Sequence, residues 1–145
     1  MWRNFNLKII FLDFDGVVNA FNEPESLRKL SEACVEMLNL LVEKTDADIV
    51  ITSTWRILHS MADLRQILIN AGFKFPYKVI GKTPRGGRRG TEIEEWLKAF
   101  PKEIELFVIL DDDSDMEPFM DRLIRTNSDT GLTIDDVERA IFLFT

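Results

Sequence analysis

The chain has 145 residues, 46% apolar and 30% charged, which is enough for a proper core, and residues 1–145 are expected to form one globular domain. Its one cysteine, Cys34, excludes an internal disulfide framework and points to a reducing, cytoplasmic setting, and the N-terminal apolar stretch meets Asp13 and Asp15 too soon for a signal peptide or membrane span. A net charge of −7 argues against general adhesion to nucleic acid, which lysine and arginine drive by displacing counterions, while leaving room for a local basic patch that holds phosphate.

Short β-type runs alternate with helix-type segments, the pattern of an α/β domain with a mostly parallel sheet. Residues 8–12 (KIIFL) read as a strand buried on both faces. A helix is predicted over 26–44, where Leu27, Leu30, Cys34, Met37, Leu38 and Leu41 recur at helical spacing. Residues 48–51 (DIVI) form the second strand. Ser60 and Asp63 make a capping box for a helix that runs to Ala71 and stops at Gly72. A third strand is predicted at 77–80, followed by a Gly/Arg-rich loop. Thr91 and Glu94 then read as a capping box for a helix containing Trp96 and Leu97. Residues 106–110 (LFVIL) form a fourth strand, residues near 123–124 a fifth, and Thr133 with Asp136 caps the last helix. Ligands of open α/β sheets bind at the carboxyl ends of the strands. Three polar clusters stand there: Asp13 with Asp15, residues 52–54, and residues 111–115.

Side chains two apart on an extended chain point the same way, so Asp13 and Asp15 in DFDGVVN (13–19) face one site. Two acids at the end of an apolar strand need their charge offset, and a hard divalent cation with oxygen ligands does so. Gly16 lets the chain turn away sharply. An Asp-x-Asp string alone is common, but after an apolar strand and before Gly16 it is far more specific.

In this motif the chain resembles the haloacid dehalogenase (HAD) superfamily. The resemblance extends to a second motif, an apolar strand ending in Thr52, with Ser53 as the alternative, where a hydroxyl can donate to a phosphoryl oxygen without adding charge. It extends also to a fourth, in which the strand 107–110 runs into Asp111, Asp112, Asp113, Ser114 and Asp115. The superfamily carries there either paired acids or an Asp with another four residues on, so Asp111 is the favoured metal ligand, with Asp112 or Asp115 as its companion. A helix-loop-helix calcium site is excluded, because a strand precedes the acids, no glycine stands at the sixth position and no glutamate closes a twelve-residue loop. The third motif needs a cation. Lys82, Arg85, Arg88 and Arg89 all lie in residues 82–90; Arg89, closest to the helix start, is the choice by resemblance, and Lys82 the alternative. Trp55 reads as core, Arg56 as reaching substrate or solvated, and His59, the only histidine, as structural or solvated.

The resemblance implies a three-layer Rossmann-like fold with a five-stranded sheet and no cap domain, since the stretches where caps insert are only as long as plain connections require. It implies a Mg2+-dependent phosphatase, with Asp13 as nucleophile, Asp15 as shared acid and base, Thr52 and Arg89 on the phosphoryl group, and the metal held by Asp13, the Asp15 carbonyl, Asp111 and Asp112. Capless relatives often act on macromolecules. The segment 123–133 is similar to small phosphatase-like domains associated with RNA repair, which favours a nucleic acid end as substrate. A phosphoprotein or small metabolite is the alternative, and a non-catalytic phosphate-binding module the reading of a different class. The four positive charges of 82–90 in a net-acidic chain read either as a solvated loop or as a landing strip for a polyanion.

Overall fold

Five strands pair side by side in a computed structural model of the chain, which describes residues 7–20 and 29–145. They are β1 (Leu7–Leu12), β2 (Asp48–Ile51), β3 (Val79–Lys82), β4 (Ile104–Asp111) and β5 (Leu123–Arg125). The order is β3-β2-β1-β4-β5, and every pairing is parallel. Strand order reverses between β1 and β4, so the two acid-ended strands lie side by side at the point where such sheets bind ligands. The helices are α1 (Glu32–Thr45), α2 (Trp55–Leu58), α3 (Met61–Asn70), α4 (Arg89–Ala99) and α5 (Ile134–Leu143).

The two faces of the sheet follow the period of two along each strand. Ile10, Leu12, Ile49, Ile51, Val108 and Leu110 join the larger core cluster with residues of α1, α3 and α5. Ile9, Phe11, Val50 and Ile109 join the other, with Ile93 of α4 and, at its edge, Trp96. Three layers result, as expected for a Rossmann-like fold. Continuing the alternation by one step carries Asp13, Thr52 and Asp111 onto the α4 side, so the face that packs one helix also gathers the polar strand ends. Among the described residues no inserted cap domain interrupts the alternation, and no helix is long and apolar enough to cross a membrane.

Several elements differ from the sequence reading in their boundaries or were not foreseen. The start predicted at Ser26, with Leu27, lies outside the described residues; within them α1 begins at Glu32, where the Ser31 side chain accepts from Cys34 N, and buried Leu30 precedes the helix. The third strand lies two residues later than predicted, because Pro76 opens a single 3-10 turn over Pro76–Lys78 that leaves Tyr77 exposed. Helix α4 starts at Arg89 rather than after Thr91, so the expected capping box does not form. Its first turn is placed by tertiary packing: a Cβ on Gly90 would stand 2.2 Å from the Glu117 carbonyl oxygen. Helix α2 is a single turn that no periodicity announced. The caps at Ser60 and Thr133 form where predicted, the latter as a reciprocal box with Asp136.

Candidate active site

Beyond the strand ends the ladder continues by one bond. Asp13 N donates to Leu110 O (3.1 Å), Thr52 N to Leu12 O (2.9 Å) and Thr126 N to Asp111 O (2.9 Å), so the backbones carrying the polar side chains are held by the sheet itself. Asp13 and Asp111 are buried. Together with half-buried Asp112 they offer one carboxylate oxygen each within 4.8 Å of one another. Three hard oxygen donors crowded at this distance fit a divalent cation such as Mg2+. Asp113 and Asp115 do not join them: Asp113 Oδ1 accepts from Asp115 N, and Asp115 pairs with Arg88 at 3.4 Å.

Arg89, in the first turn of α4, enters the same cluster. Its Nη1 lies 2.6 Å from Asp111 Oδ2 and 3.4 Å from Asp13 Oδ1. Each acid is also held by a backbone amide, Asp13 Oδ1 by Phe14 N and Asp111 Oδ1 by Asp113 N, both at 2.9 Å. These contacts do not cancel the effect of burial, which pushes both carboxyls well above the usual range; Arg89 pulls Asp13 down, while the Asp13 charge pushes Asp111 further up. Burial lowers the Arg89 pKa, but Asp13 and Asp111 outweigh it and the net direction is upward.

Gly16 makes the cluster possible. Its φ is +83°, and a Cβ there would stand 2.3 Å from Asp112 Oδ2, so glycine supplies both the left-handed turn and the space for that carboxylate. The turn is braced by Asn19, whose Oδ1 accepts from Gly16 N and whose Nδ2 donates to Asp15 Oδ1, each at 2.9 Å. Trp55 Nε1 donates to Asp15 Oδ2 at 3.1 Å. The Asp15 carboxylate is thus oriented beside the three-acid cluster rather than within it.

Thr52 is fully buried, and its Oγ1 has no hydrogen-bond partner among the described residues. Ser53 Oγ instead accepts from Trp55 N at 3.2 Å. Lys82 is turned away: its Nζ donates to the carbonyls of Arg56 and His59 at the end of α2, at 3.1 and 3.4 Å. Arg56 is not solvated: it is buried at the edge of a cleft, and it donates to the carbonyls of Thr52, Ser53, Thr83 and Pro84 while pairing with Glu92 at 3.0 Å. His59 is half-buried, with its ring 6.0 Å from that of Trp55.

A known family, described as the HAD domain in Swiss Army Knife RNA repair proteins, matches residues 9–137. The chain belongs to this family. The match runs from β1 into α5 and takes in all the clusters above. Membership supports a phosphatase-type hydrolase with a phosphorylated substrate. No curated protein matches the chain.

In this HAD domain the groups that orient the acids were the hardest to read from sequence. Trp55 was assigned to the core, and it does pack edge-on against Phe14, with ring centres 5.4 Å apart. An indole half-buried beside an acidic turn must nevertheless place its N–H, and that requirement was the available signal. Arg56 carried no such signal, since its neighbours Ile57 and Leu58 are themselves exposed.

Proposed function

We propose that this chain is a Mg2+-dependent phosphomonoester hydrolase that works through an aspartyl-phosphate on Asp13. The observation that carries the reading is the convergence of Asp13, Asp111 and Asp112, with Arg89 bridging two of them, beside a buried Thr52 hydroxyl that has no partner among the described residues. Asp13, Asp111 and Asp112 would hold the metal with the backbone carbonyl of Asp15. When bound, the ion offsets the repulsion between a carboxylate nucleophile and a phosphate dianion.

The protein's own residues account for the remaining roles. An Asp13 oxygen forms the new bond to phosphorus as the ester oxygen leaves, and Asp15 gives that oxygen its proton. Asp15 then takes a proton from water; the water oxygen bonds to phosphorus, the bond to Asp13 breaks, and inorganic phosphate departs. Thr52 and Arg89 contact the phosphoryl oxygens, whose charge is what the site stabilises during transfer. The bonds from Asn19 and Trp55 hold Asp15 in one orientation for both proton transfers. A metal-dependent assay with an aryl phosphate tests this reading against a phosphate-binding module without turnover. Hydrolysis that appears with Mg2+ and is lost with chelator supports it; phosphate binding without hydrolysis overturns it.

As substrate we infer a nucleic acid end. The family's RNA-repair description supports this. So does a cleft of about 470 Å³ beside the acids, where Arg85, Arg88 and Arg89 stand with Thr54, exposed Ile57 and the edges of Arg56 and Glu92, opposite Asp113 and Asp115. Arg85 and Arg88 are exposed, and among the described residues Arg88 pairs with Asp115. A strand extending from the phosphoryl site would meet them with its next phosphates.

A further inference from the structure

Arginine has five N–H groups, and Arg56 uses all of them inside the protein. Nε donates to Thr83 O (2.9 Å), Nη1 to Thr52 O (2.8 Å) and Ser53 O (3.0 Å), and Nη2 to Pro84 O (3.2 Å) and Glu92 Oε1 (3.0 Å). The other Glu92 oxygen accepts from Gly86 N at 3.1 Å. One buried ion pair therefore joins the end of β2, the loop after β3 and the first turns of α4. Those segments carry Thr52 and Arg89, the two groups assigned above to the phosphoryl oxygens. The metal-binding acids stand on other segments, after β1 and at the end of β4.

The bonding pattern also accounts for the free hydroxyl. Arg56 holds the Thr52 backbone by its carbonyl and spends no donor on Oγ1, which stays buried without a partner among the described residues. Arg89 lies one turn before Glu92 on α4, so anchoring Glu92 sets where its guanidinium projects. A stabilising contact alone could be made by apolar packing, as buried ion pairs often can be replaced without loss. Five directed bonds to three segments cannot.

We propose that Arg56 is a positioning residue for phosphoryl binding, which fixes Thr52 and Arg89 relative to each other and to Asp13. Although its edge lines the cleft, its five N–H groups are all bound within the protein, so it acts through Thr52 and Arg89 rather than on substrate or metal. The proposal rests on the phosphatase reading for the roles of Thr52 and Arg89. Lysine at this position keeps the charge opposite Glu92 but offers three donors from a single point, which cannot reach carbonyls of two loops together.

The test compares wild type with Arg56→Lys, and with Glu92→Gln as a second variant should the first fold poorly. Calorimetry gives the affinity for Mg2+ alone and then for inorganic phosphate in saturating Mg2+; steady-state rates are taken with p-nitrophenyl phosphate. Arg56→Lys should leave Mg2+ affinity within about twofold, weaken phosphate roughly tenfold, and lower kcat by roughly ten- to a hundredfold, the scale expected when reacting groups are misplaced. In a Thr52→Val background the same substitution should cost clearly less, because the two act through one contact. Loss of Mg2+ and phosphate affinity in parallel would assign Arg56 to the scaffold alone and overturn the proposal, as would unchanged phosphate affinity. A wild type that binds phosphate without hydrolysing it overturns the phosphatase reading but leaves this one tested by affinity. A wild type that binds no phosphate overturns both.

Discussion

The indole N–H of Trp55 donates to Asp15 Oδ2 at 3.1 Å, tying the first residue of α2 to the second acid of the turn after β1. A hydrogen bond to a carboxylate is worth about 1.5 kcal/mol or more, roughly tenfold in rate when it orients a proton-transfer group. Trp55→Phe keeps the ring against Phe14 and removes the donor. It should lower turnover roughly tenfold, more on alkyl than on aryl esters, because a poor leaving group depends more on its proton. Asp15→Asn should show the same order with larger losses. Equal losses on the two ester classes in both variants would contradict the role of Asp15 as acid.

Gly16→Ala tests the metal cluster without touching a carboxylate. The left-handed φ costs a non-glycine residue about 1–2 kcal/mol, and the new Cβ would displace the Asp112 carboxylate from 2.3 Å away. A modest drop in Tm should accompany a loss of Mg2+ affinity of roughly tenfold or more, measured by calorimetry. A variant with lowered Tm and undiminished Mg2+ affinity would remove Asp112 from the site.

The crowding of Asp13 and Asp111 predicts how stability varies with pH once metal is removed. Burial first, then the surrounding acids, raise their folded-state values to about 6 and about 8, above the ordinary 3.8. The folded protein therefore binds more protons than the unfolded chain between these values, and its stability falls as pH rises from about 4 toward 8. Thermal melts in chelator should show that decline, and Asp111→Asn should flatten it. Added Mg2+ should raise Tm more at pH 8 than at pH 5, because it binds the ionised acids. A chelated protein whose Tm rises across this interval would contradict the arrangement.

Much of the fold was legible because burial leaves a plain record in sequence. The apolar runs ending in Asp13, Thr52 and Asp111 lie as strands β1, β2 and β4, and their period of two also carries the polar ends to one face. What failed were boundaries set by contacts between distant segments. Helix α4 starts early because Gly90 fits beneath Glu117, although Thr91 and Glu94 offered a good local cap. In the candidate site, Asp13 and Asp111 could be named from their place at the ends of apolar strands, whereas Arg89 was one of four cations and was singled out only by the resemblance. Arg56 could not be assigned, because its partners come from three segments that only the folded sheet brings together.

Substrate class turns on the exposed arginines. Arg85→Ala with Arg88→Ala should leave p-nitrophenyl phosphate hydrolysis intact while weakening a 5′- or 3′-phosphorylated oligonucleotide. Each lost phosphate contact should also reduce the slope of log affinity against log salt by about 0.7 on a single strand. A double variant that handles oligonucleotide ends like wild type across a salt series would make the loop solvated surface, and a protein or metabolite the better substrate.

The measurement closest to the central claim is chemical trapping of the phosphorylated protein. After brief reaction with a phosphoryl donor in Mg2+, borohydride should reduce the acyl phosphate, and peptide mass spectrometry should find homoserine at position 13 in wild type and none in Asp13→Asn. The same Asp13→Asn protein should keep its fold by circular dichroism and lose turnover. Label on any other residue, or turnover that persists without Asp13, would contradict the account.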